Sequence, residues 1–250
     1  MRDALHEEFA PRPAWYAARR GGWRDWITVL HLPYTAWHLS YVLIGAALAP
    51  ALVLGRLVDT LGAFGLAVGV AAHALDERHG HPLGTAISDR ALVLVAALAL
   101  LGATCLGVVG VEQVGWGMAA FIAVGMVLVA GYNLELFGGR LHNATVFAAA
   151  WGAFPVLTAY YAQTGTLSPA AVAGALFAFG LSRAQRVLSV DARRLRRHER
   201  TVAGECIAVD GRRRELTREA LLRPLEQALT ALCWAVAALA VALLLARVGR

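Results

Sequence analysis

Apolar positions in this chain come in long unbroken blocks and do not alternate with polar ones. A helix needs about 20 mostly apolar residues to cross the hydrocarbon layer of a bilayer. Seven blocks approach that length, at about 34–55, 58–75, 91–110, 115–132, 143–162, 168–184 and 225–246. They are rich in Ala, Gly and Val. Such small residues let helices approach closely where lipid supplies no hydrophobic drive for association. The pattern predicts an all-α fold, a polytopic integral membrane bundle of about seven transmembrane helices. Residues 1–33 form an N-terminal segment, cytoplasmic or interfacial. Residues 34–250 form one transmembrane domain, broken before its last span by a basic cytoplasmic loop, 185–224.

Composition agrees with the pattern. The 250 residues are 58% hydrophobic and 16% charged, with mean hydropathy +0.57, whereas soluble domains carry about 25% charged residues. The N-terminus lacks the apolar core of a signal peptide. Cys105, Cys206 and Cys233 are too widely spaced to suggest a disulfide or a zinc motif. All 23 basic residues are arginine.

Charge placement adds an orientation. With seven spans, 20 of the 23 arginines fall on one side. Five lie in the N-terminal segment, two in 76–90, one in 133–142, and 12 in 185–224 together with Arg183 at its edge. The other side holds Arg56, Arg247 and Arg250. The positive-inside tendency puts the N-terminus in the cytoplasm and the C-terminus outside. A multi-pass protein of a bacterial cell membrane is expected. Trp15, Tyr16, Trp23 and Trp26 stand among arginines, which suits either an interfacial helix or a basic tail. The run "DARRLRRHER", 191–200, reads as a strongly basic helix-like stretch on the same side and suits anionic membrane lipids. No reading motif for nucleic acid accompanies it, so no nucleic-acid partner is expected. Nothing in the chain indicates an oligomeric state.

Three polar clusters punctuate the ends of the second, fourth and sixth blocks. "HALDERHGHPLGT", 73–85, puts His73, Asp76 and Glu77 on one helical face by i, i+3 and i+4 spacing. Such a pair could hold a divalent ion or orient a proton transfer; alternatively it is a polar loop meeting water. "YNLELFGGRLHN", 132–143, carries Tyr132, Asn133, Glu135, Arg140, His142 and Asn143, with Gly138 and Gly139 permitting a turn. Tyr132 also suits an interface anchor, and Asn143 a helix cap. "SRAQRVLSVDARRLRRHE" sets Asp191 among arginines, where an ion pair would account for it. His31 and His38 stand near the start of the first block, as buried satisfied histidines or as cavity-lining ones.

This placement resembles the UbiA superfamily of intramembrane prenyltransferases. "AGYNLELFGGRLHNATVFAAAWGAFP" looks like that family's Tyr-led junction into a Gly-containing fifth helix. "VGVAAHALDERHGHPLGT" resembles its first Asp motif, and "FAFGLSRAQRVLSVDARR" stands where the second belongs. The resemblance spans roughly 30–205 and rests on placement more than identity. The family's first acidic pattern falls on His73, Asp76 and Gly80. Its second keeps Asp191 and meets Leu195. The basic position after the tyrosine falls on Leu136, with Arg140 out of step. Family members commonly have nine helices, and seven are expected here.

The resemblance implies a prenyltransferase joining an isoprenoid diphosphate to a lipophilic or aromatic acceptor. Asp76, His73 and Asp191 would be catalytic. Asp76, Glu77 and Asp191 would hold Mg2+. Tyr132, Asn133, Arg140, Asn143, Arg183 and Arg186 would bind substrate. Two other readings stand beside it: a non-catalytic lipid-binding protein of the same fold, and a membrane metalloenzyme using a His/Asp site.

Overall fold

The computed structural model describes residues 17–18, 21–199 and 201–248. After α1 (Trp23–Val29) and α2 (Leu32–Ala47) comes a composite rod. It joins α3 (Leu54–Phe64), a π-helical stretch (Gly65–Ala72) and α4 (His73–Arg78). Then follow α5 (Asp89–Val114) and α6 (Gly117–Asn133). A second composite rod joins α7 (Ala144–Ala148), a π-helical stretch (Ala149–Ala153) and α8 (Phe154–Thr164). α9 (Pro169–Arg197) and α10 (Arg218–Val248) complete the helices. A two-stranded antiparallel hairpin, β1 (Glu205–Ile207) and β2 (Arg213–Glu215), links α9 to α10. Trp15 and Tyr16 lie outside the described residues.

Four rods are long and apolar enough to cross a membrane: Leu54–Arg78, Asp89–Val114, Ala144–Thr164 and Arg218–Val248. This is the make-up of a helical membrane protein. The other apolar blocks fall on α2, with 16 residues, on α6, with 17, and on the first half of α9.

The basic stretch 185–224 is not simply a loop. α9 runs on to Arg197, because no Gly or Pro interrupts it after Gly180. Its 29 residues span about 43 Å at 1.5 Å per residue, against a hydrocarbon layer of about 30 Å. Its last turns carry Arg193, Arg194, Arg196 and Arg197 beyond the apolar first half. The hairpin, its flanking turns and the first two turns of α10 occupy the rest.

α2 sits centrally. Its Trp37, Tyr41 and Ile44 pack with Val156 of α8, Ala175 and Ala178 of α9, and Val236 and Ala240 of α10. Polar groups inside this core find partners. Trp37 Nε1 donates to Tyr41 Oη at 2.6 Å, and Ser182 Oγ donates to the same oxygen at 3.1 Å. Two glycines set the spacing. A Cβ at Gly45 would run into the Val156 carbonyl, and one at Gly152 would come within 2.6 Å of the Ala178 carbonyl oxygen. Backbones this close need a residue with no side chain.

Candidate functional site

The ends of α2, α4, α6 and α9 on one side of the bundle surround a chamber of about 280 Å³. α4 supplies His73, Asp76 and Glu77 to its wall, and α6 supplies Tyr132 and Asn133. The turn after α6 supplies His142. That turn holds four left-handed residues, Glu135, Phe137, Gly138 and Gly139, so the glycine pair does lie in a turn, beyond the end of α6 at Asn133.

α9 supplies the strongest charge. Arg186, Ser189, Arg193, Arg196 and Arg197 all line the chamber. Their spacing of three or four residues puts them on one helical face. Arg186 lies over the Phe147 ring at 5.1 Å, and Arg193 Nε donates to the Ser189 carbonyl at 3.3 Å. Neither enters an ion pair among the described residues. Burial, with Arg186 and Arg197 close by, lowers the Arg193 pKa below its ordinary value. Crowded cations in a confined space are relieved by an anion. Arg196 is committed in part, 3.5 Å from Glu226.

The two adjacent carboxylates of α4 differ in kind. Glu77 is buried, and its oxygens accept from Leu83 N at 2.9 Å, Thr85 N at 3.1 Å and Thr85 Oγ1 at 2.7 Å. It holds the 79–88 loop in place. Asp76 is open to the chamber and sits in the field of His142, Arg193, Arg186 and His79.

His73 packs into the wall. Its ring stacks on His31, centroids 4.6 Å apart, and its Nδ1 is 3.2 Å from the Gly69 carbonyl. His38 is both buried and cavity-lining, with Nδ1 2.9 Å from the Trp151 carbonyl oxygen. Tyr132 stacks on His142, centroids 4.5 Å apart. Its buried hydroxyl and the Gln185 Oε1 find no hydrogen-bond partner among the described residues. Both residues line the chamber. Unpaired buried polar atoms are uncommon and mark places where a ligand or water completes the bonding.

The structure thus gathers His73, Asp76, Glu77, Tyr132, Asn133 and Arg186, and leaves four expected residues outside. Asn143 caps α7, its Oδ1 accepting from Thr145 N and Val146 N at 3.0 and 2.9 Å. Arg140 is exposed beyond the wall. Arg183 reaches Thr145 Oγ1 at 3.3 Å on the outer side. Asp191 lies 3.8 Å from Arg194 and away from the chamber. Of the 183–197 arginines, which the prenyltransferase reading sets beside the diphosphate, the face starting at Arg186 also brings in Arg193, Arg196 and Arg197. Their spacing could have revealed them once the helix was extended past residue 184. His31 lines the chamber as the cavity-lining alternative has it, and so does Tyr34, which no sequence signal marks.

The donor set does not fit the expected magnesium site. Of Asp76, Glu77 and Asp191, the first is open, the second is saturated by the loop, and the third is elsewhere. Magnesium favours several oxygen ligands in near-octahedral array. No group of three or more His, Cys, Asp or Glu is placed to hold a metal among the described residues.

Below the chamber, an apolar crevice of about 110 Å³ runs between α3, α5, α6 and α8. Val68 and Trp151 are walls of both spaces. Comparison with protein-family models, with curated proteins and with solved structures gives no match.

Proposed function

We propose that this chain is a divergent UbiA-like membrane prenyltransferase that seats the head of an isoprenoid diphosphate in the arginine-lined chamber. In this reading all seven apolar blocks cross the membrane, and the chamber opens at the cytoplasmic side with the arginine-rich segments. One observation carries it. Arg186 and Arg193, without ion-pair partners among the described residues, share a confined space with the open Asp76 and with a Tyr132 hydroxyl that is unpaired among those residues.

The chemistry follows from charge. The allylic C–O bond breaks, its electron pair leaves with the diphosphate, and a carbocation remains. Arg186 and Arg193 would stabilise the charge that gathers on the leaving group. Tyr132 would donate to a diphosphate oxygen. A nucleophilic carbon of the acceptor would add to the cation, and its proton would pass to Asp76. No step is routed through magnesium.

The second reading, a lipid-binding protein of the same fold without turnover, is favoured by the lone open carboxylate. One experiment separates the two. The purified chain in lipid nanodiscs is incubated with farnesyl diphosphate and an aromatic acceptor. Release of pyrophosphate with a prenylated product, falling about a hundredfold in Asp76→Asn as for loss of a general base, supports the enzyme. Tight binding without release supports the second reading. If the wild type binds no allylic diphosphate, both readings fall.

A further inference from the structure

α1 touches α4 beside the chamber, and its side chains part into two faces. Asp25, Thr28 and Val29 are buried. Trp26 packs against the core cluster that contains Leu75 and Leu92. Trp23 is turned out, 68% exposed. Arg24 is exposed beside it, its guanidinium carbon 5.8 Å from the Trp23 ring centroid. An indole and a guanidinium presented together suit the headgroup layer of a bilayer, the ring at the edge of the hydrocarbon and the cation on lipid phosphate. The chain leading into them is basic: residues 9–24 carry four arginines and no carboxylate.

The buried carboxylate of this helix reaches the chamber wall. Asp25 Oδ1 accepts from Gly21 N at 2.8 Å, and Oδ2 accepts from Ala86 N at 3.0 Å. Ala86 directly follows the residues that Glu77 holds, Leu83 and Thr85. Pro82 and Leu83 line the chamber. One stretch of wall therefore hangs from two carboxylates with different footing. Glu77 belongs to the rod Leu54–Arg78, long and apolar enough to be fixed by the bilayer. Asp25 belongs to a helix of seven residues. His31, left-handed at φ 45°, divides that helix from α2, so the two do not form one rigid rod. A helix this short is marginal by itself, and what it packs against decides its position.

We propose that the Trp23–Arg24 face of α1 docks on anionic headgroups of the membrane, and that Asp25 passes this docking to the chamber wall by holding Ala86. Asp25 is a positioning residue: it acts on the chamber through the 79–88 loop. A lipid surface is the occupant because the face joins an aromatic ring to a cation, in a segment rich in arginine, beside rods built to cross a bilayer. The inference stands whatever the chamber binds.

The test compares amide exchange of the purified full chain in nanodiscs of phosphatidylcholine alone and of equal parts phosphatidylcholine and phosphatidylglycerol. In the wild type, exchange across 79–88 is expected to be about fivefold slower in the anionic discs, the worth of one arginine at an anionic surface. Trp23→Ala combined with Arg24→Ala changes only exposed side chains and should erase that difference. Asp25→Ala should erase it in 79–88 and leave it in 23–29, an uncoupling that a purely structural role for Asp25 would not produce. If Asp25→Ala does not fold, the exposed-face variant still decides. A wild-type loop indifferent to lipid would leave the face to a protein partner and overturn the proposal. A lipid effect that survives in the exposed-face variant would place the lipid on another surface, the chamber arginines included, and overturn it as well. One that survives at 79–88 in Asp25→Ala would remove Asp25 as the relay.

Discussion

The two ends of the bundle carry similar groups in opposite states. At the floor, the end away from the chamber, Arg56 is committed to two backbone carbonyls and Gln163 Oε1 accepts from Val53 N at 2.7 Å, with Gln163 Nε2 left over. At the chamber, Arg186 and Arg193 have no carboxylate partner among the described residues, and Tyr132 and Gln185 carry buried unpaired oxygens. An arginine that holds the fold and an arginine that awaits a ligand cannot be told apart by residue type. Their partners distinguish them. The same contrast recurs one residue apart in α4, where Glu77 is saturated and Asp76 is open.

The sharpest way to break the contrast is to remove arginines at both ends. Arg186→Ala with Arg193→Ala is expected to weaken pyrophosphate binding on the order of a hundredfold, since each charge-assisted hydrogen bond is worth roughly 1.5–3 kcal/mol and neighbours add imperfectly. The folded state should be as stable or slightly more so, because like charges are removed from a confined space. Arg56→Ala should do the reverse. It should leave pyrophosphate affinity unchanged and lower stability by about 2 kcal/mol through the two carbonyls it abandons. Calorimetric binding and thermal unfolding read both variants. Equal effects at the two ends would erase the distinction.

Next in size is the carboxylate pair. Glu77→Ala leaves two backbone N–H groups and a hydroxyl without their acceptor. The expected cost is roughly 2–3 kcal/mol, with faster amide exchange across 79–88. Asp76→Asn should leave exchange in that loop unchanged. If Glu77→Ala leaves the loop protected, Glu77 is not its anchor.

A smaller effect is expected at Asn143. Loss of its cap in Asn143→Ala should cost about 1 kcal/mol and leave pyrophosphate binding unaltered. A change in affinity would return Asn143 to the site that its geometry takes it out of.

These contrasts explain what could be read from the chain. The apolar blocks were legible because a helix in lipid must be apolar over its length, and four of them meet that standard. The convergence of His73, Asp76, Tyr132 and Arg186 was legible from their recurrence at block ends. The helical character of 191–197 was legible in its basic run, but its unbroken continuity with the sixth apolar block was not, because hydropathy falls at 185 while helix-forming tendency does not. Polarity marks the bilayer edge, not the helix end. Glu77 was indistinguishable from Asp76, since its partners lie six and eight residues ahead in a loop whose path no local pattern specifies. The two π-helical stretches left no mark at all: "GLAVGVAA" and "AAWGA" read as ordinary small-residue helix.

The finest test is a single oxygen. Tyr132 packs against His142 and, edge-on at 5.8 Å, against Trp151, so its ring is fixed whether or not the hydroxyl is bonded. Tyr132→Phe removes only the oxygen. In a wall whose polar atoms serve the fold, that change costs stability, because a hydrogen bond is lost. Here the hydroxyl has no partner to lose among the described residues, so unfolding should be unmoved or slightly delayed. Affinity for pyrophosphate should fall about fivefold, the worth of one hydrogen bond of roughly 1 kcal/mol. Stability lost with affinity intact would show that the hydroxyl bonds within the protein, and the chamber would then resemble the floor.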